Sequence, residues 1–136
     1  MKHILDAGPI IAALNRRDAH HDWSRDTLSR LGGPFYSCPE ALAEAAAMTG
    51  QPAAVVEMVQ AGEIVLAFDL TAHTARVLAL LRKYRDRHMD LADACIVRMS
   101  ELIRDARVVT LDRQDFTVYR RNGRDVIPII APPPSA

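Results

Sequence analysis

Residues 1–14 read MKHILDAGPIIAAL, an apolar run that meets a carboxylate at Asp6 and continues as a second apolar run. His3–Leu5 reads as a short buried strand ending at Asp6. Gly8-Pro9 then turns the chain into a helix over about Ile10–Asn15, since proline is tolerated in a first helical turn. A carboxylate at the end of a buried strand is expensive to desolvate unless something compensates it. The same arrangement returns at Val108-Val109-Thr110-Leu111-Asp112, followed by Arg113-Gln114-Asp115-Phe116. Two further acidic motifs border apolar runs: Glu40-Ala41-Leu42-Ala43-Glu44 and Asp90-Leu91-Ala92-Asp93-Ala94.

Outward from these motifs, strands and helices alternate. A polar helix is expected over His20–Leu31, broken by Gly32-Gly33-Pro34. Phe35–Ser37 reads as a strand, and Pro39 starts an Ala-rich helix to about Met48. Pro52–Ala61 reads as a further helix closed by Gly62. Ile64–Phe68 is a strand, and Thr71 is placed to cap a helix running to about Asp86. Asp90–Asp105 has the clearest helical periodicity, with Ala92, Cys95, Ile96, Met99, Leu102 and Ile103 on one apolar face. Val108–Leu111 reads as a strand, Arg113–Arg121 as a short helix and Val126–Ile130 as the last strand. Short continuous apolar strands between helices predict an α/β three-layer sandwich with a mainly parallel central sheet flanked by helices. Residues 1–131 are expected to form one domain, and residues 132–136 a loose C-terminal tail.

The chain has 136 residues, 49% of them hydrophobic and 25% charged, which is ordinary for a globular protein. No apolar stretch is long enough to span a membrane, and Asp6 interrupts any leader-like segment, so a cytoplasmic protein with no membrane association is expected. Cys38 and Cys95 give neither a disulfide framework nor a zinc spacing and read as buried free thiols. The formal net charge is zero, which argues against a strongly basic, non-specific nucleic-acid binder. It leaves room for a nuclease whose acidic pocket offsets basic surface elsewhere.

In open α/β sheets, ligands bind beyond the carboxyl ends of the strands. Asp6 and Asp112 stand at such ends. Asp90 and Asp93 are three residues apart at a helix start and therefore neighbours on one side of it. Glu44 lies inside the helix after the second strand and needs the tertiary fold to join them. Taken singly, each acid has a plainer reading. Asp6, Asp90 and Asp112 fit turn formers or helix caps, Glu44 fits a solvated face, and Asp115 fits a cap or a partner of Arg113 or Arg121. Together they suggest a pocket that needs a counter-charge, and hard divalent cations prefer oxygen ligands.

Four motifs in this order resemble those of PIN-domain proteins. Met1–Leu14 resembles their opening strand with its terminal Asp, and Glu40–Glu44 their second acidic motif. MDLADA at Met89–Ala94, followed by Cys95-Ile96-Val97, resembles the third. Val109–Phe116 resembles the fourth, in which a strand closes in Thr-x-Asp. The resemblance covers nearly the whole chain, and its small size is similar to the toxin half of VapBC-type toxin–antitoxin pairs.

The resemblance implies a Mg²⁺- or Mn²⁺-dependent endoribonuclease. Asp6, Glu44, Asp93 and Asp112 would be the catalytic, metal-binding acids, and Asp90 and Asp115 accessory acids. It also implies an RNA substrate, a cognate small antitoxin and a homodimer. The antitoxin would lay a helix over the apolar surface of the helices near Ile10–Leu31 and Pro52–Gly62 and insert a basic residue toward the acids. Many relatives carry Thr or Ser directly after the first Asp, whereas Ala7-Gly8 follows here, leaving Thr110 as the candidate to supply a hydroxyl that orients Asp6 or a water. Arg16, Arg17, Arg85, Arg87 and Arg113 are candidate RNA contacts, and Trp23 and Tyr119 are candidates to stack on bases or anchor helices. The alternatives are a catalytically silent PIN-like binding module and another metal-dependent phosphoesterase.

Overall fold

β1 (Lys2–Leu5) is the middle strand of a five-stranded sheet, and its neighbours explain the rest of the fold. The computed structural model describes residues 1–134. In chain order, β1 is followed by α1 (Ala7–Leu14), α2 (His21–Leu31), β2 (Phe35–Ser37), α3 (Pro39–Thr49), α4 (Pro52–Gln60) and β3 (Ile64–Leu66). Next come α5 (Thr74–Lys83), α6 (Leu91–Leu102), β4 (Ala106–Val109), α7 (Arg113–Phe116), β5 (Arg120–Arg121), β6 (Asp125–Val126) and β7 (Ile129–Ile130). The sheet order is β3-β2-β1-β4-β7, with every pairing parallel. The helices flank this sheet, as an α/β sandwich requires.

Strand burial follows from position. Ile4, Leu5, Val108 and Val109 are fully buried at the centre of the sheet. Lys2 pairs with Ala106 and Leu5 with Val109, which sets the ends of β1 and β4 side by side. The chain builds outward from β1 through β2 to β3, then returns to place β4 on the other flank of β1. The strand order therefore reverses between β1 and β4, and the crevice at such a switch point opens beyond the strands' carboxyl ends.

Several boundaries differ from the sequence reading, each for a local reason. α1 begins at Ala7, because Asp6 itself caps it by accepting the Ala7 N–H at 2.9 Å. Gly8 and Pro9 thus lie inside the first turn. Gly8 has a packing reason to lack a side chain, since a Cβ there would meet Leu111 Cγ at 3.1 Å. Thr71 is not a cap: Asp69 accepts the Thr71 N–H at 3.1 Å and starts a 3-10 turn over Leu70–His73 ahead of α5. α5 stops at Lys83, and a second 3-10 turn, Arg85–Arg87, leads to His88 in the left-handed region. Leu102 is exposed and drops out of the apolar face of α6.

The helix expected over Arg113–Arg121 ends at Phe116. Arg120 and Arg121 instead pair antiparallel with Val126 and Asp125. Asn122 and Gly123 have φ of 51° and 79°, the positive pair that an Asn-Gly hairpin turn provides. That dipeptide signal was present in the sequence and outweighs the helical pattern before it. The last strand of the sheet is correspondingly only Ile129–Ile130. Of the expected tail, Pro132 accepts a hydrogen bond through its carbonyl from Arg113 at 3.2 Å, while residues 135 and 136 lie outside the described residues. Cys38 and Cys95 are free and buried, as the sequence implied. Among the described residues, no helix is long and apolar enough to cross a membrane.

Candidate active site

Asp6 is the deepest carboxylate at the sheet's carboxyl edge, only 7% exposed. Both of its oxygens are engaged. Oδ1 accepts the Ala7 N–H, and Oδ2 accepts the Thr110 hydroxyl at 2.8 Å. Thr110 is itself fully buried and accepts the Asp112 N–H at 3.0 Å. The hydroxyl absent after Asp6 in the local sequence is thus supplied across the sheet by Thr110. Beneath them, the Ser37 hydroxyl donates to the Leu5 carbonyl at 2.7 Å, fixing the end of β1 from the β2 side.

Asp90, Asp93 and Asp112 stand on the helices around this point. Asp90 caps α6 by accepting the Asp93 N–H at 2.7 Å, and Asp112 caps α7 by accepting the Asp115 N–H at 2.9 Å. Capping therefore applies to Asp6, Asp90 and Asp112 alike; Asp90 and Asp112 each use one oxygen for it, whereas the second oxygen of Asp6 is taken by Thr110. Asp93, in the first turn of α6, is not the cap. Its Oδ2 accepts the Tyr119 hydroxyl at 3.0 Å. Glu44 is half-buried rather than fully solvated.

These carboxylates act on one another electrostatically. Burial pushes Asp6 up to about 6, with the charges of Asp90 and Asp112 adding to it against the hydrogen bonds from Thr110 and Ala7. Burial, then the charges of Asp6 and Asp90, pushes Asp93 up to about 8, against the pull of Tyr119. Glu44 is raised by burial and by Asp90 and Asp6. Asp112 is raised chiefly by burial, while Arg87 pulls it down. Carboxylates that raise one another resist carrying full negative charge together.

The expected convergence is looser than a ready-made cage. Among the described residues, no three Asp, Glu, His or Cys side chains are arranged to hold an ion. Asp6, Asp93 and Asp112 are each held by a different neighbour. The donor chemistry nevertheless fits a hard divalent cation, because the candidate ligands Asp6, Glu44, Asp93 and Asp112 all offer carboxylate oxygens.

Asp115 pairs with neither Arg113 nor Arg121. Its Oδ1 accepts from Arg87 Nη2 at 2.8 Å and Nε at 3.2 Å. Arg87 is thereby committed within the acidic cluster. Arg113 donates to the carbonyls of Ala131 and Pro132, and Arg121 to those of Ser100, Ile103 and Arg104. Arg16, Arg17 and Arg85 are exposed. Tyr119 is fully buried and cannot stack on a base. Trp23 is partly buried against the core. The partners Tyr119 and Arg87 lie 26 and 28 residues from the acids they hold, and no local pattern marks such pairs.

At the opposite edge of the sheet, where β2 begins, a groove of about 640 Å³ is lined by Leu14, Leu28, Gly33, Phe35, Met58 and Glu63. The apolar surface expected around α1, α2 and α4 is therefore concave. The PIN domain family profile matches residues 3–122, a span that includes Asp6, Glu44, Asp90, Asp93, Asp112 and Asp115. None of the curated proteins matches the chain.

Proposed function

The chain belongs to the PIN-domain family, whose members are generally nucleases, and from that premise we propose that it is a metal-dependent endoribonuclease serving as the toxin of a toxin–antitoxin pair. The observation that carries this reading is the buried Asp6 at the β1/β4 switch point, whose charge is coupled to those of Asp90, Asp93 and Asp112. Asp6, Glu44, Asp93 and Asp112 would hold Mg²⁺ or Mn²⁺, with Asp90 and Asp115 as accessory acids. When bound, the ion supplies charge neutralisation at the phosphate and Lewis acidity toward water.

The chain's own groups do the positioning. Thr110 and the Ala7 N–H hold Asp6, and the Asp115 N–H holds Asp112. Arg16, Arg17 and Arg85 are free on the surface to meet RNA phosphates, whereas Arg87 and Arg113 first have to leave their present partners. Ionised and without a counter-ion, the same acids repel a phosphodiester.

The antitoxin is proposed to seat an amphipathic helix in the groove between α1, α2 and α4. That groove lies at the sheet edge opposite the acids, so a basic residue reaching them would come from a separate segment of the partner. A homodimer would pair through helices away from the acids, where Leu78 and Leu102 are exposed.

The test is cleavage of single-stranded RNA by the purified protein with Mg²⁺, with Mn²⁺ and with a chelator. Metal-dependent cutting that Asp93→Asn abolishes supports the reading. A folded protein that leaves RNA intact with either ion would favour the silent binding module. Growth arrest on expression, relieved by Asp93→Asn, tests the toxin role separately.

A further inference from the structure

Tyr119 is buried completely, yet its hydroxyl ends at a carboxylate of the candidate site. Its ring is wedged between Phe116, at a centroid distance of 5.1 Å, and Tyr84, at 5.0 Å, both edge to face. Its backbone N–H donates to the Asp115 carbonyl at 3.0 Å, and the Asp115 N–H donates to Asp112 Oδ1 at 2.9 Å. A single hydrogen-bonded chain thus runs from Asp112, through the α7 turn and the Tyr119 side chain, to Asp93 on α6.

We propose that Tyr119 is a positioning residue, fixing Asp93 for metal binding relative to Asp112. The phenol takes up Oδ2 of Asp93 and leaves Oδ1 as the oxygen available to an ion. Three contacts, two aromatic and one backbone, fix the tyrosine, so the carboxylate it holds has little rotamer freedom left to lose on binding. Outer hydrogen-bond partners of ligating groups commonly tune metal affinity 10- to 100-fold. This inference rests on the metal-binding reading above, and the experiment separates the two.

Mn²⁺ is titrated into the purified protein and followed by calorimetry, with no RNA present. Tyr119→Phe keeps the ring and removes only the hydroxyl, and it should weaken Mn²⁺ binding about tenfold or more. In an Asp93→Ala background the same change should cost nothing further, because Tyr119 acts through that carboxylate. Ile64→Ala cuts into the core at the start of β3, at the opposite end of the sheet from the acids; it should lower the melting temperature and leave Mn²⁺ affinity within twofold of the parent. If the parent binds Mn²⁺ and Tyr119→Phe binds it equally well, the positioning role is overturned while the metal site stands. An equal loss from Tyr119→Phe in both backgrounds, or a comparable loss in Ile64→Ala, assigns the effect to packing and overturns it too. A folded parent that binds no Mn²⁺ sinks the metal reading and this inference with it.

Discussion

Thr110 Oγ1 lies 2.8 Å from Asp6 Oδ2, although 104 residues separate the two along the chain. The contact joins the ends of β1 and β4: an ionised carboxylate can only accept, so the hydroxyl gives its proton to Asp6 while its oxygen accepts the Asp112 N–H. Thr110→Val keeps the shape and removes that donor. We expect Mn²⁺ affinity to fall about tenfold and Thr110→Ser to restore most of it. Calorimetry that cannot distinguish Thr110→Val from the parent would show that the hydroxyl does not prepare Asp6.

The metal-free protein should lose stability as pH rises from about 4 to 8. Asp6 and Asp93 are raised to about 6 and about 8 in the folded state, against about 3.9 for an unperturbed Asp. The folded protein therefore binds more protons than the unfolded chain across this window, and stability falls with increasing pH. Thermal melts in chelator should show a decline of several degrees, and Asp93→Asn should flatten its upper part. Melting temperatures that climb steadily through the same range would contradict the environment assigned to these acids.

Asp93 should matter more to cleavage than Asp90. Asp93 is partly buried and tied to Tyr119, whereas Asp90 is exposed and serves as a cap, a role asparagine fills equally well. Asp93→Asn is expected to slow cleavage by roughly 10²-fold or more, as when a charge-stabilising group is removed. Asp90→Asn should cost less, and Asp115→Asn less than Asp112→Asn. Single-turnover rates at saturating Mn²⁺ decide the order. A larger loss from Asp90→Asn would mean that α6 presents its N-cap, not its third residue, to the chemistry.

Away from the acids, Glu101 is a structural centre. It is 8% exposed and receives Arg76 at 2.7 and 2.9 Å, Arg98 at 3.1 Å and the Asn122 N–H at 2.6 Å, which pins the β5–β6 hairpin to α6. The two arginines are partly exposed, so the pairing is partly screened by solvent. Glu101→Gln should still cost about 2 kcal/mol in urea unfolding while leaving cleavage unchanged. These partners hold Glu101 below its usual range. Its contribution is therefore lost as pH falls through that lowered value, opposite in sign to Asp6 and Asp93. A Glu101→Gln protein as stable as the parent at neutral pH would show that the cluster adds nothing.

Much of the molecule was determined by sequence alone. Short apolar strands between periodic helices gave the parallel α/β architecture, because burial on both faces leaves an uninterrupted apolar run. Gly32 and Gly50, both with positive φ, end α2 and α3 where the sequence placed the stops. Asp6 and Asp112 were readable at strand ends because strand order and ligand position are linked in such sheets. Only the tertiary structure decided the rest. It set Thr110 on Asp6, Tyr119 on Asp93 and Arg87 on Asp115, and it turned residues 120–126 into a hairpin rather than a helix. Local propensity and periodicity act over a few residues, whereas a buried polar atom takes whichever partner the packing brings within hydrogen-bond reach. Here those partners come from residues 26 to 104 positions away, a separation at which sequence spacing carries no geometric information.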